Sequence, residues 1–216
     1  AYDTQTAFAL VMLAGRSPML LVTHAQSPYR AAAELLAAAR AKPNVLTYGS
    51  SGAGSSNHLA MALFETATGT QMRQIPYKGS TPMLTDLAGG QFDVALDLLP
   101  HAMPFMQMNR VRPLVIAAPK RSPLLPDVPT AAEAGIPGFE VSSWHGFVVP
   151  SGTPQSVVDK LNSDLNRMLL EDEVKKAFAA QGVAPDGGTP AHFRSFIDGQ
   201  MALWKKVVSD RNITVD

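Results

Sequence analysis

The stretch from residue 45 to residue 65, VLTYGSSGAGSSNHLAMALFE, passes from a short apolar run through a glycine- and serine-rich loop into a helical pattern. The apolar run at 45–48 predicts a β-strand, and the pattern at 56–68 predicts a helix that Gly69 ends as its C-cap. Strand, loop and helix in this order form the building unit of α/β proteins. Glycines concentrate where the backbone approaches another group closely, so this loop is also a candidate binding site.

Strands alternate with helices along the rest of the chain, which predicts an α/β fold with largely parallel sheets. The predicted strands are 8–14, 19–23, 45–48, 72–76, 92–98, 111–118 and 144–150. The predicted helices are 29–41, 56–68, 80–88, 130–134, 153–169, 171–181 and 191–210. Ser80 and Thr153 are the expected N-caps of two of these helices, with Pro154 at the first helical position. The face of helix 56–68 that is expected to be buried carries Leu59, Leu63 and Phe64.

Composition narrows the class of protein. The 216 residues are 46% hydrophobic and 17% charged, which is typical of a folded globular chain. A net charge of zero does not favour nucleic acid or an anionic membrane as partner. The absence of cysteine excludes disulfides, thiol catalysis and thiolate metal sites. The five histidines are scattered without metal-ligand spacing, so we expect neither a metal nor a cofactor.

The glycine-rich loop does not match the nucleotide or nucleophile motifs that it superficially resembles. Residues 52–57 lack the third glycine of a dinucleotide fingerprint, and no Gly-Lys-Ser/Thr of a phosphate-binding loop is present. Residues 49–53 lack the final glycine of a nucleophile elbow. Two interpretations remain: an anion site at the start of the following helix, or a loop that only caps that helix. The side chains and amides available to such a site belong to Ser50, Ser51, Gly54, Ser55 and Ser56.

Further candidate residues follow the next two strands. Lys78-Gly79 precedes another helix start, where it forms a second potential anion site or an ordinary solvated loop. Asp97 ends an apolar strand and either holds a ligand amine or hydroxyl or accepts a backbone N–H. His58 lies in the first turn after the glycine loop, and Trp144 begins a strand where it packs in the core or lines a cleft.

Four segments together resemble the Bug-type solute-binding receptors of tripartite tricarboxylate transporters, and their order and spacing cover nearly the whole chain. They are AELLAAARAKPNVLTYGSSGAGSSNHLAMALFETATG, IPYKGSTPMLTDLAGGQFDVALD, VRPLVIAAPKRSPLLPDVPTAAEAGIPGFEVSSWHGFVVPSGTPQSVVDKLN and the region of Trp204. The resemblance implies a type II periplasmic binding protein, a two-lobed α/β Venus flytrap that closes on a small carboxylate. Such a receptor is periplasmic, delivers its ligand to membrane permease subunits and performs no chemistry.

The resemblance also implies which residues hold the carboxylate, chiefly through backbone amides. The loop residues carried over by the motif are Tyr48, Gly49, Ser50, Ser51, Gly52, Ala53, Gly54, Ser55, Ser56 and His58. The PYKG and FDVALD segments add Tyr77, Lys78, Gly79 and Asp97.

The chain departs from the family pattern because the family has about a hundred further residues before the matching segment. We therefore expect the second lobe, residues 21–118, to be nearly complete. The first lobe is expected to be partial, made of residues 1–20 and of the crossing segment and C-terminal helices at 119–216. Strands 8–14 and 144–150 would then pair with each other or be covered by a partner, which predicts oligomerisation or strand exchange.

Two other functions remain as alternatives. The first is a serine hydrolase that uses Ser51 or Ser55 with His58 or His145, although no acidic partner is evident. The second is a sensory module that presents a ligand-dependent surface to a membrane partner.

Overall fold

The structure is a computed structural model that describes residue 3 and residues 6–214. Residues 1, 2, 4, 5, 215 and 216, which belong to the expected terminal segments 1–20 and 119–216, lie outside that description. The chain divides into two compact units. The 144–204 unit also contains the chain up to Ser17, and the 18–143 unit also contains the chain from Lys205 onward.

Seven strands and seven helices make up the described chain. The strands are β1 Phe8–His24, β2 Thr47–Ser50, β3 Arg73–Pro76, β4 Val94–Leu98, β5 Val111–Ile116, β6 Ser142–Pro150 and β7 Ala184–Gly187. The helices are α1 Ala32–Ala41, α2 Ser56–Thr68, α3 Ser80–Ala88, α4 Leu99–Gln107, α5 Gln155–Met168, α6 Asp172–Ala180 and α7 Pro190–Asp210. The predicted helices 56–68 and 80–88 are confirmed at both ends.

The 18–143 unit is built on a sheet with the strand order β3-β2-β4-β1-β5. β2 runs parallel to β3 and β4, whereas β1 runs antiparallel to β4 and β5. The expectation of a largely parallel sheet is therefore correct for one side of the sheet and wrong around β1. One layer of the core packs Leu20, Val22 and Ala95 of the sheet against Met83 and Leu87 of α3. The opposite helix, α2, buries the T-shaped pair that Phe64 forms with Phe139.

β1 is one strand of 17 residues, where the sequence predicted two strands at 8–14 and 19–23. Gly15 lies inside this strand without interrupting it. A Cβ at this position would lie 2.8 Å from the carbonyl oxygen of Ala184 on the neighbouring strand, so the position has no room for a side chain. Gly15 is therefore a point of close backbone approach. Pro18 lies between the ladder that ends at Arg16 and the ladder that begins at Met19. The missing N–H of proline is tolerated at such a position.

In the 144–204 unit, the first half of β1 pairs with β6 and β7. Of the two alternatives for strands 8–14 and 144–150, the structure shows the pairing of the strands with each other. α5 covers this strand with Val158, which packs against Val11 and Met12. Trp144 makes edge-to-face contacts with Phe193 and Phe196, at centroid distances of 5.8 and 5.5 Å. The packing interpretation of Trp144 is therefore confirmed.

Other sequence predictions need correction. The predicted helix 130–134 is absent: Thr130 forms an isolated β-bridge with Ile116, and residues 131–135 form a turn that ends at Gly135, which has a φ of 80°. Gly79 and Pro154 take the N-cap positions that were predicted for Ser80 and Thr153. The buried face of α2 carries Ala60, Met61 and Phe64, whereas Leu59 and Leu63 are half-buried. α4 and β7 were not predicted; α4 has a proline in its first turn and another, Pro104, inside it.

Candidate anion-binding site

Three strand ends bring the predicted site segments to one edge of the sheet in the 18–143 unit. Because β2 is parallel to β3 and β4, the carboxyl ends of all three strands meet there. The glycine loop follows β2, the Tyr77–Gly79 segment follows β3, and Asp97 lies one residue before the end of β4. Ligands of open α/β sheets bind outside the carboxyl ends of such strands. The structure thus brings together segments that are distant in sequence.

Each of these strands is followed by a helix that starts at the same edge. α2, α3 and α4 contain 13, 9 and 9 residues, and neither α3 nor α4 has a side-chain cap on its first turn. A helix N-terminus presents unpaired N–H groups and the positive end of the helix dipole. Three such ends create a region that favours an anion without any arginine.

The glycine loop depends on its glycines for two separate reasons. Gly49 has no room for a side chain, because a Cβ there would lie 2.5 Å from Phe92 Cζ and 2.7 Å from Met83 Cγ. Gly52 and Gly54 adopt φ values of 108° and 71°, which other residues rarely adopt. The loop is therefore held in a backbone shape that its composition predicted.

The serine hydroxyls of the loop are used internally. Ser55 Oγ donates to the carbonyl of Gly52 at 2.7 Å and accepts from His58 N, so Ser55 is the N-cap of α2. Ser50 is fully buried, and its Oγ accepts from Gln74 Nε2 at 2.7 Å. Ser51 Oγ bonds the Oδ1 of Asn57. Of these three hydroxyls only that of Ser55 caps the helix, whereas those of Ser50 and Ser51 bond other side chains.

Several backbone N–H groups at this edge have no acceptor within the described part of the chain. In the glycine loop and the first turn of α2, they belong to Ser51, Ala53, Ser56 and Asn57. All four are close in sequence to the helix N-terminus, and Ala53 is solvent-exposed. Such groups are the elements of an anion site.

His58 contributes a neutral side chain to the same loop. Its Nδ1 lies 3.1 Å from Gly54 N, which donates to it, so the ring proton is on Nε2. Burial, together with the positive charge of Arg211, lowers the pKa of His58. The ring stacks on Tyr48 at a centroid distance of 6.5 Å. Burial, and secondarily the carboxylate of Glu65, raises the pKa of Tyr48 above its usual value. His58 thus offers an N–H donor without a full charge.

The segment after β3 adds a tyrosine and backbone groups. Tyr77 is half-buried, and burial, with a hydrogen bond to Asp86, raises the pKa of its hydroxyl to about 12. Tyr77 N donates to the carbonyl of Ser50 at 2.8 Å, which ties this segment to the glycine loop. Lys78 is exposed, in agreement with its interpretation as a solvated loop residue. Gly79 has a φ of 136° at the N-cap of α3.

Asp97 is the buried acid of the site. Its Oδ1 accepts from Leu98 N at 2.7 Å and contacts His101 Nδ1 at 3.1 Å. Its Oδ2 is buried and has no hydrogen-bond partner within the described chain. The side chain is 2% exposed, whereas that of His101 is 48% exposed. The carboxylate therefore keeps one acceptor free.

Two residues that position the loop were not predicted. Asn57 Nδ2 donates to the carbonyl of Leu96 at 2.6 Å, which ties the start of α2 to β4. Gln74 holds Ser50. Asn57 had a sequence signal, because it is a polar residue on the apolar side of a helix. A single glutamine in a short strand has none.

The arrangement does not support the hydrolase alternative. Neither Ser51 nor Ser55 contacts a ring nitrogen of His58, whose Nδ1 is engaged by Gly54 N. His145 belongs to the other compact unit. Within the described residues no group of three or more His, Asp or Glu side chains is placed to hold a metal ion. Each described helix is too short or too polar to cross a membrane.

Comparison with known proteins provides an independent line of evidence. The TctC family, the tripartite tricarboxylate transporter family receptors, matches residues 1–213. A UPF0065 protein from the tcbD-tcbE intergenic region of Pseudomonas sp. strain P51 is 36% identical over 216 residues, 100% of this chain and 64% of the relative. BugT of Bordetella pertussis is 34% identical over 93% of this chain and 61% of its own length. The chain thus spans less than two thirds of these relatives.

A solved structure agrees with the sequence relatives. Rpa4515 of R. palustris, whose structure was solved with adipate, matches with a TM-score of 0.85 and 38% identity, over 99% of this chain and 71% of that chain. The α/β fold of the type II periplasmic binding proteins is thereby confirmed. The resemblance to the Bug-type receptors is also confirmed, and the chain belongs to the tripartite tricarboxylate transporter receptor family.

Proposed function

We propose that the chain is a periplasmic solute-binding protein that captures a small carboxylate for a tripartite tricarboxylate transporter. The observation that carries the proposal is the convergence of three helix N-termini and free backbone N–H groups at one sheet edge. Carboxylates bind at such ends because the N–H groups and the dipole favour negative charge. Family membership and the adipate of the R. palustris relative support the same ligand class.

The proposed site contains all the candidate residues that are near this edge. Its donors are the free backbone N–H groups of the glycine loop and the Nε2–H of His58, with Tyr48 supporting the ring. Tyr77, Lys78 and Gly79 form the second side, and Asp97 the third. A site whose donors are mainly backbone N–H groups binds an anion without arginine, which agrees with a chain of low charge.

We propose further that the chain performs no chemistry. The serine hydroxyls are satisfied by Gly52, Asn57 and Gln74, and none is paired with a general base. Retention of ligand binding after Ser51→Ala, with no hydrolysis of ester substrates before or after, is the expected result.

The proposal includes the partners and the organisation of the receptor. The second lobe, residues 21–118, is proposed to lie within the 18–143 unit, and the 144–204 unit is proposed to be part of the first lobe. Membrane permease subunits are proposed to receive the ligand. Exposed apolar side chains support self-association of the chain; they include Phe147 and Val148 of β6 and Val157 of α5.

Calorimetric titration tests the proposal. Adipate, succinate, malate and a tricarboxylate are titrated in citrate-free buffer into the chain, and into a longer form supplemented with the part of its relatives that the chain does not span. Saturable binding by either form supports the function, and binding by both assigns the affinity to the edge described above. Absence of binding to both forms, verified as folded by circular dichroism, contradicts it.

A further inference from the structure

The free oxygen of Asp97 is the one feature of the site that a simple anion does not explain. An anion site made of helix N-termini is weakened by a nearby negative charge, and Asp97 places a carboxylate in the same edge. Its side chain is only 2% exposed, and its Oδ2 lacks a hydrogen-bond partner among the described residues. Buried polar atoms in native proteins are nearly always hydrogen-bonded.

The two oxygens of Asp97 differ in their surroundings. One contact of the carboxylate is the backbone N–H of Leu98, which is fixed at the end of β4. The other is the ring of His101 in the first turn of α4, whose side chain is half-exposed. Both contacts involve Oδ1, so Oδ2 is the oxygen that remains for a further hydrogen-bond donor.

We propose that Asp97 makes the site selective for carboxylates that carry a hydrogen-bond donor, a hydroxyl or ammonium group, near their carboxylate. The backbone N–H groups at the helix N-termini hold the ligand carboxylate, and Asp97 Oδ2 accepts from the substituent. An unsubstituted dicarboxylate leaves that oxygen unpaired. This inference rests on the proposed function and specifies its ligand class.

Matched ligands that differ by one substituent test the inference without any mutation. Succinate, malate and aspartate share a four-carbon dicarboxylate skeleton and carry no substituent, a hydroxyl and an ammonium group. A hydrogen bond to a charged group corresponds to about tenfold to a hundredfold in affinity. Malate or aspartate is expected to bind more tightly than succinate by this factor in the calorimetric titration, with the same chain forms as above.

Asp97→Asn separates the proposal from a general preference for polar ligands. The variant retains the acceptor for Leu98 N and replaces the free oxygen by an amide that donates. It is expected to lose the preference for aspartate to within about threefold of succinate, while succinate binds as well as before or better. Asp159→Asn, which makes the same charge change on the exposed face of α5, is the control and is expected to leave every affinity unchanged.

The outcomes distinguish this inference from the proposed function. If succinate binds as tightly as malate and aspartate, or if Asp97→Asn keeps the preference, the inference is wrong and the carboxylate receptor stands. If none of the carboxylates binds to either form, the proposed function and the inference are both wrong. Should the variant not fold, the comparison of the three ligands on the unaltered chain still decides.

Discussion

Arg211 and Glu65 form an ion pair that joins the end of α7 to α2, and its removal gives a quantitative test of the structure. Glu65 is 4% exposed and Arg211 31% exposed, and the residues are 146 positions apart in sequence. Glu65 Oε1 also accepts from Met72 N at 2.5 Å. Arg211→Met removes the charge but keeps an apolar side chain, so the buried carboxylate loses its counter-ion.

Breaking a buried ion pair by removing one partner costs about 3–5 kcal/mol, because the other charge is left uncompensated. Arg211 is about one third exposed, so water screens the pair and the expected loss in the free energy of unfolding is about 2–3 kcal/mol at pH 7. Burial raises the pKa of Glu65 above its ordinary value, although Met72 N and Arg211 oppose the shift. A raised pKa means that the folded state binds a proton more readily than the unfolded chain. The penalty of Arg211→Met is therefore largest at neutral pH and decreases as the pH falls toward 5.

Urea denaturation followed by circular dichroism at pH 7 and pH 5 measures both effects. The double variant Glu65→Gln/Arg211→Met is the matched control, and it is expected to recover most of the loss because no charge remains buried. A loss below about 0.5 kcal/mol at pH 7 for Arg211→Met, which is the scale of an ordinary surface substitution, would show that Glu65 does not depend on Arg211 as its counter-ion.

Three further predictions concern the loop and the exposed strand. Gly49→Ala is expected to lower the free energy of unfolding by about 1–3 kcal/mol, because its Cβ would clash with Phe92 and Met83. The control, Gly152→Ala, is expected to be close to neutral, because no atom lies within 4 Å of its Cβ. Equal urea midpoints for the two variants would contradict this prediction. The pKa of His58, measured by NMR titration, is expected to lie below the ordinary value for histidine. Because the folded state favours the neutral ring, the stabilising contribution of His58 is present above the unfolded pKa and is lost as the pH falls through the folded pKa. A pKa at or above the ordinary value counts against the assigned Gly54 contact. The chain should self-associate at high concentration in sedimentation velocity, less so after Phe147→Ser, and a clean monomer would argue against association through β6.

The sequence was most informative where local chemistry decides the structure. The limits of α2 and α3 follow from the glycines that end them, and Gly69 takes the left-handed conformation that its type predicts. The glycine loop, its position at the carboxyl end of β2 and its shape were also predictable. The association of the loop with Tyr77 and Asp97 was predicted only from the resemblance to the receptor family.

The remaining features depend on contacts between distant residues. Gly15 and Pro18 are local signals for a break, but close packing against β7 and the gap between two ladders allow one long strand. α4 carries two prolines, so its local preference argues against the helix that packing supports. The pairing of Arg211 with Glu65 and the orphan oxygen of Asp97 have no local signal at all.

The central claim is that backbone N–H groups at the start of α2 hold the ligand carboxylate, and amide chemical shifts test it most directly. Adipate or malate is titrated into the ¹⁵N-labelled chain, and into the longer form if the chain alone does not bind. The largest saturable shifts are expected at the amides of Ser51, Ala53, Ser56 and Asn57, with smaller shifts at Gly79 and Leu98. Saturable binding with these amides unmoved, and the shifts elsewhere in the chain, would contradict it.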